Sequence, residues 1–167
     1  MNREYAPLAI SFNLIDTDYT VDDRWAQGFD ELGMKQRLRR GDYSTLNMYF
    51  QTDVDRQGFL GKCFFPVARP SNSEFALDGC LVLTDTMPGG ATDNYNLGLT
   101  AVHEIGHWFG LFHVFQGSSC FGQGDFVSDT PAQSTLSRGC PTGKDSCRSS
   151  PGFDSINNHM DYTFDSW

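Results

Sequence analysis

The chain of 167 residues has the length of one compact domain that can bury a core. Its formal charge of −9, with 21 acidic against 12 basic side chains, argues against a surface for nucleic acid or anionic lipid, since either needs clustered Lys and Arg. No apolar run approaches the roughly 20 residues of a membrane-spanning helix, and the opening MNREYAPLAI lacks the basic start and apolar stretch of a secretory signal.

From the amino end, LAISFNL (Leu8 to Leu14) alternates like a strand. VDDRWAQGFDELGMKQRLRR (Val21 to Arg40) spaces Trp25, Phe29, Leu32 and Leu38 along one helical face, with Lys35 to Arg40 read as its solvated basic end. TLNMYF (Thr45 to Phe50), KCFFP (Lys62 to Pro66) and CLVLT (Cys80 to Thr84) are short β-prone runs between turn residues. MPGGATDNYN (Met87 to Asn96) is a turn-rich lead into LGLTAVHEIGHWFG, whose apolar spacing predicts a helix. Beyond His113 the chain is rich in Gly, Ser, Asp, Pro and Cys and reads as loops through Ser150. The fold class is α/β (α+β), in a single domain over 1–167 with subdomains of about 1–110 and 111–167.

Three of the four histidines fall within HEIGHWFGLFH, His103 to His113. His103 and His107 stand one helical turn apart, so both imidazoles leave the same face and can reach one metal ion. Glu104 follows His103, where its carboxylate can approach a water at the metal and act as general base without being a ligand. His113 lies ten residues beyond His103, and a continued helix would aim it roughly 80° away. Gly110 resolves this, because glycine adopts the left-handed conformation that ends a helix and turns the chain. Three neutral imidazoles with one open position suit zinc in a catalytic role.

The five cysteines, Cys63, Cys80, Cys120, Cys140 and Cys147, form no CxxC pair, favour an oxidising compartment, and leave one thiol over.

HEIGHWFGLFH is the extended HExxHxxGxxH signature of metzincin metalloproteases, and NNHMDYTFD downstream resembles their Met-turn. With DTMPGGATDNYNLG, GDFVSDTPAQS and GCPTGKDSC, nearly the whole chain resembles the pappalysin family, most like its secreted fungal extracellular metalloproteases. The resemblance implies a metzincin-like catalytic domain: a twisted mixed β-sheet with a backing helix, an active-site helix and a loop-rich C-terminal part. It implies His103, His107 and His113 as zinc ligands, Glu104 as general base, Met160 as the apolar floor beneath the metal, and Tyr162 as a residue that stabilises the reaction intermediate. From the residues alone, Met160 reads equally as ordinary core and Tyr162 as a core aromatic. His159 is not a ligand in this scheme. The implied activity is zinc-dependent endopeptidase cleavage of protein or peptide substrates, in an extracellular setting. The alternative is a zinc-retaining binding protein with weak or no catalysis.

The resemblance also pairs Cys120 with Cys147, and suggests Leu60 to Pro66 as the edge strand along which substrate extends, its alternative being a plain edge blunted by Lys62 and Pro66. Calcium is a second candidate cofactor, with Asp125, Asp129 and Thr130 as donors or, equally, as turn caps. Asp161 is the candidate for attracting a basic substrate side chain, against a role in bonding backbone within the turn. Measured against the fungal pattern, the chain looks truncated at both ends, with Trp167 about where a cysteine would stand, so Cys140 loses its expected partner. The pairing of Cys63 and Cys80 stays unassigned, neighbouring strands being one way to bring them together.

Overall fold

A computed structural model describes residues 1–166; Trp167, the position compared with a family cysteine, lies outside them. The chain divides into two compact units, Met1–Phe109 and Gly110–Trp167. Among the described residues no helix is long and apolar enough to cross a membrane.

The first unit is mixed α/β. Helices α1 (Asn2–Tyr5), α2 (Asp23–Ala26) and α3 (Glu31–Leu38) precede strands β1 (Met48–Gln51) and β2 (Gly61–Cys63); α4 (Asn72–Leu77), β3 (Cys80–Leu83) and α5 (Leu99–Trp108) follow. The strands form one sheet in the order β1-β3-β2, with β1 parallel and β2 antiparallel to β3. Alternation of side chains gives this sheet two occupied faces. Tyr49 and Leu81, opposite each other in register, pack with Met34 of α3 and with Val54. On the other face Met48 and Leu46 pack against Val102 and Ile105 of α5, together with Tyr5. The Tyr5 hydroxyl donates to Val102 O at 3.0 Å.

Three local expectations need correction. Leu8 closes a short 3-10 turn and residues 10–22 carry no strand, because Ala9 turns left-handed at φ 56° and Phe12 is instead tied through its N–H to Asn2 Oδ1. The long helix over Val21 to Arg40 is two helices, interrupted where Gly28 and Asp30 take positive φ and each piece begins at an aspartate cap, Asp22 or Asp30. Lys35 is not part of a solvated end. It is fully buried, with Nζ 2.9 Å from Glu31 Oε1 and donating to Leu77 O at 2.6 Å and Gly79 O at 3.0 Å. Burial holds its pKa below the usual lysine value.

The second unit has one 3-10 turn, Gln116–Ser118, and otherwise loops. The Cys120–Cys147 disulfide closes one loop, and polar side chains supply much of the remaining interior. Asp154 Oδ1 accepts from Ser146 N–H and Oγ at 2.9 Å each, and Lys144 Nζ lies 3.1 Å from its Oδ2. Cys140 is the free thiol and is exposed.

Candidate active site

Helix α5 begins at Gly98, φ 87°, and Thr100 through His107 are all buried along it. The imidazoles of His103 and His107, one turn apart, meet edge to face at 4.7 Å, and the Phe65 ring lies 5.2 Å from that of His107. The helix ends at Trp108, and Gly110 takes φ 92°, in the region where a side chain would be strained. Within the second unit, Phe115 stacks on His113 at 4.9 Å with the rings 6° from parallel, and the Tyr162 hydroxyl lies 3.0 Å from His113 Nε2. The potential ligand atoms of His103, His107 and His113 all lie within 4.8 Å of one another.

Glu104 points away from bulk water, at 5 % exposure, and its Oε2 is buried with no hydrogen-bond partner. Burial raises its pKa from 4.5 to about 8, since a carboxylate loses hydration in such surroundings. An unpartnered buried carboxylate oxygen costs stability, and carboxyl groups perturbed by burial concentrate at functional sites. Three imidazole nitrogen donors, with an orphaned carboxylate oxygen on the residue after His103, fit a zinc site that has a base of its own.

Met160 is buried at the Met-turn, where its N–H donates to Asn158 Oδ1 at 2.9 Å and its carbonyl accepts from Val114 N–H at 3.2 Å, next in sequence to His113. Asp161 does not reach outward. It is 5 % exposed; Oδ1 accepts from the N–H groups of Ser137 and Tyr162 at 2.8 Å each, and Oδ2 accepts from Gln133 Nε2 at 2.7 Å. Its acceptors are engaged inside the turn, so a role in attracting substrate Arg or Lys is not adopted. Calcium is not supported either: Asp125 is buried with Oδ1 accepting from Val127 N–H at 3.0 Å, Asp129 is exposed, and among the described residues the histidine trio is the one group of three or more His, Cys, Asp or Glu side chains placed to share an ion.

Sequence reading left one feature here unassigned and missed another. Cys63 and Cys80 face each other in the antiparallel register of β2 and β3 and form a disulfide, with Cα atoms 4.1 Å apart. Gly61 lies against Glu104: a Cβ on Gly61 would stand 2.5 Å from Glu104 Cγ and Oε1. A glycine inside a β-prone run was the available signal, since it often marks close approach of another group.

A small mixed sheet with an HExxH helix and a third histidine after a glycine turn defines a metzincin-type domain. The sequence profile of Peptidase_M43, described as pregnancy-associated plasma protein-A, matches residues 41–165, and the chain belongs to that family. Membership implies zinc. The chain is 53% identical to an extracellular metalloprotease of Colletotrichum graminicola, over 99% of this chain and 59% of that protein. It is 54% identical to one of Neurospora crassa, over 99% of this chain and 57% of that protein. The chain thus spans somewhat under three-fifths of these relatives. Mature mirolysin of Tannerella forsythia, solved in complex with a cleaved peptide, superposes with a TM-score of 0.63 at 32% identity, over 74% of this chain and 46% of that one.

Proposed function

We propose that this chain is the catalytic part of a zinc-dependent endopeptidase acting on protein or peptide substrates outside the cell. The observations that carry the reading are the grouping of three histidine ligand atoms and the buried, unpartnered Oε2 of Glu104, the residue next to His103 in α5. His103, His107 and His113 would hold the ion. Zinc, when bound, polarises a carbonyl and makes water acidic near neutral pH. Glu104 removes the proton from the attacking water and passes it toward the leaving amine. Tyr162, whose hydroxyl reaches His113 Nε2, donates to the carbonyl oxygen as negative charge develops there. Met160 holds the His113 segment through its carbonyl, which accepts from Val114 N–H, while its buried side chain supplies apolar floor. Edge strand β2 offers backbone groups to an extended substrate, as a free sheet edge does. The extracellular setting is supported by the names of the relatives and by two disulfides.

Glu104→Gln tests this reading. It keeps shape but cannot accept the proton, so zinc content by mass spectrometry stays near one per chain while casein hydrolysis falls by about a thousandfold or more. His107→Ala loses both. Normal turnover in the Gln variant would remove Glu104 from the mechanism. The alternative, a binding protein without catalysis, is not favoured by an intact Glu104 beside the histidines.

A further inference from the structure

We infer that Gly61 is a positioning residue for Glu104, held in place by the Cys63–Cys80 disulfide; this rests on Glu104 serving as the base. The reasoning starts from the alternation of β2. Gly61 and Cys63 face the same side of the sheet as Val82 and Cys80, their register partners, while Lys62 between them turns to the opposite side and binds Glu31 Oε2 and Asp55 Oδ2 at 2.9 Å each. The Gly61 side is the α5 side: Cys80 Sγ lies 3.6 Å from the carbonyl oxygen of Glu104 itself.

Gly61 is not among the glycines with positive φ, so backbone freedom does not explain it. Contact does. Any Cβ there would stand 2.5 Å from Cγ and Oε1 and 2.7 Å from Cδ of Glu104, inside van der Waals distance. The group that must yield is the carboxylate, a side chain, rather than the backbone, so Gly61→Ala is expected to fold and to misplace the base. The disulfide fixes the strand two residues further on, where Cys80 is fully buried and β2 has only three residues of ladder to hold it. Without a side chain at 61, the wall against which Glu104 rests is strand backbone, and the cross-link keeps that wall from moving away.

Two experiments bear on this. First, kcat and KM on a fluorogenic peptide cleaved by the wild type: Gly61→Ala is expected to lower kcat about a hundredfold, the cost of misplacing a catalytic group by roughly 1 Å, with zinc content unchanged and KM moved much less. Cys63→Ala with Cys80→Ala should lower kcat in the same direction, again with zinc retained. A Gly61→Ala enzyme within about threefold of wild-type kcat, while Glu104→Gln is inactive, overturns the inference and leaves the base intact. Second, a stability cycle that does not depend on activity: Gly61→Ala is expected to lower the melting midpoint of the metal-free protein by about 4 °C, and to lower it by less than about 1 °C when combined with Glu104→Ala. Equal shifts in both backgrounds would show that the glycine serves the sheet alone. If Glu104→Gln is active, the proposed mechanism fails, and the positioning role fails with it even where the stability coupling is found.

Discussion

The two units solve the same problem, burying enough to stay folded, with different materials. Met1–Phe109 builds apolar clusters on both faces of a sheet, around Tyr49 and Leu81 on one side and Val102 and Ile105 on the other. Glu104 apart, its buried charged groups have company, as with Arg39 Nη1 2.9 Å from Asp78 Oδ2, where Trp108 Nε1 also donates to Asp78 Oδ1 at 3.0 Å. Among the described residues Gly110–Trp167 has almost no regular structure, so its backbone groups need side chains, and its interior sets Gln133, Ser137, Asp154 and Asp161 beside Val114, Met160 and one disulfide. The apolar unit gains from area removed from water, which is nondirectional. The polar unit gains only where each donor meets its acceptor, so its stability rests on a few specific groups.

If that contrast is right, the largest single effect in the first unit should come from stranding a buried charge. Arg39→Met leaves Asp78, 2 % exposed, without its cation, and should cost about 4 kcal/mol by urea unfolding. A loss below about 1 kcal/mol would mean that Trp108 and backbone suffice to hold the carboxylate. In the second unit the matching break is Cys120→Ala with Cys147→Ala. Reopening a loop with a sequence separation of 27 should cost about 3.5 kcal/mol, seen as faster amide exchange confined to the second unit. Loss of protection spread equally over α5 and the sheet would erase the distinction between the units.

A pH titration sharpens the same contrast. Burial raises the hydroxyl pKa values of Tyr5 and Tyr49 from 10.0 to about 12, both in the first unit. The folded chain therefore keeps protons between pH 10 and 12 that the unfolded chain releases, so this stability is complete below pH 10 and lost as pH rises through 12. Each tyrosine accounts for about 2 kcal/mol of that loss, as set by the size of such a shift. Absorbance at 295 nm should show late phenol ionisation, and Tyr5→Phe or Tyr49→Phe should each remove one late group. The smallest expected effect concerns Asp161→Asn, which should cost about 2 kcal/mol by weakening its bonds to Ser137, Tyr162 and Gln133, and should leave the pattern of cleavage sites in a peptide library unchanged. A shift away from Arg or Lys at the cut sites would restore the specificity role.

The metal chemistry was legible in the chain because it is carried by spacing. Residues i and i+4 share a helical face whatever surrounds them, so His103 and His107 announce themselves, Glu104 is marked by following His103, and Gly110 announces the turn before His113. The same locality explains why α5, β3 and the looped character of the second unit could be read from composition and period. Resemblance to relatives supplied the Cys120–Cys147 pair, which spacing alone does not select. What only tertiary structure decided depends on contacts between distant positions. Lys35 looks like a solvated cation until Leu77, Gly79 and Glu31 are brought around it, and the strand expected at Leu8 to Leu14 gives way to a bond between Asn2 and Phe12. Cys63 finds Cys80 only through the register of an antiparallel pair, and Gly61 finds Glu104 only because that strand lies against α5. Local periodicity determines which side chains share a face. Which face meets which is settled by packing, a long-range property that no short stretch of sequence contains.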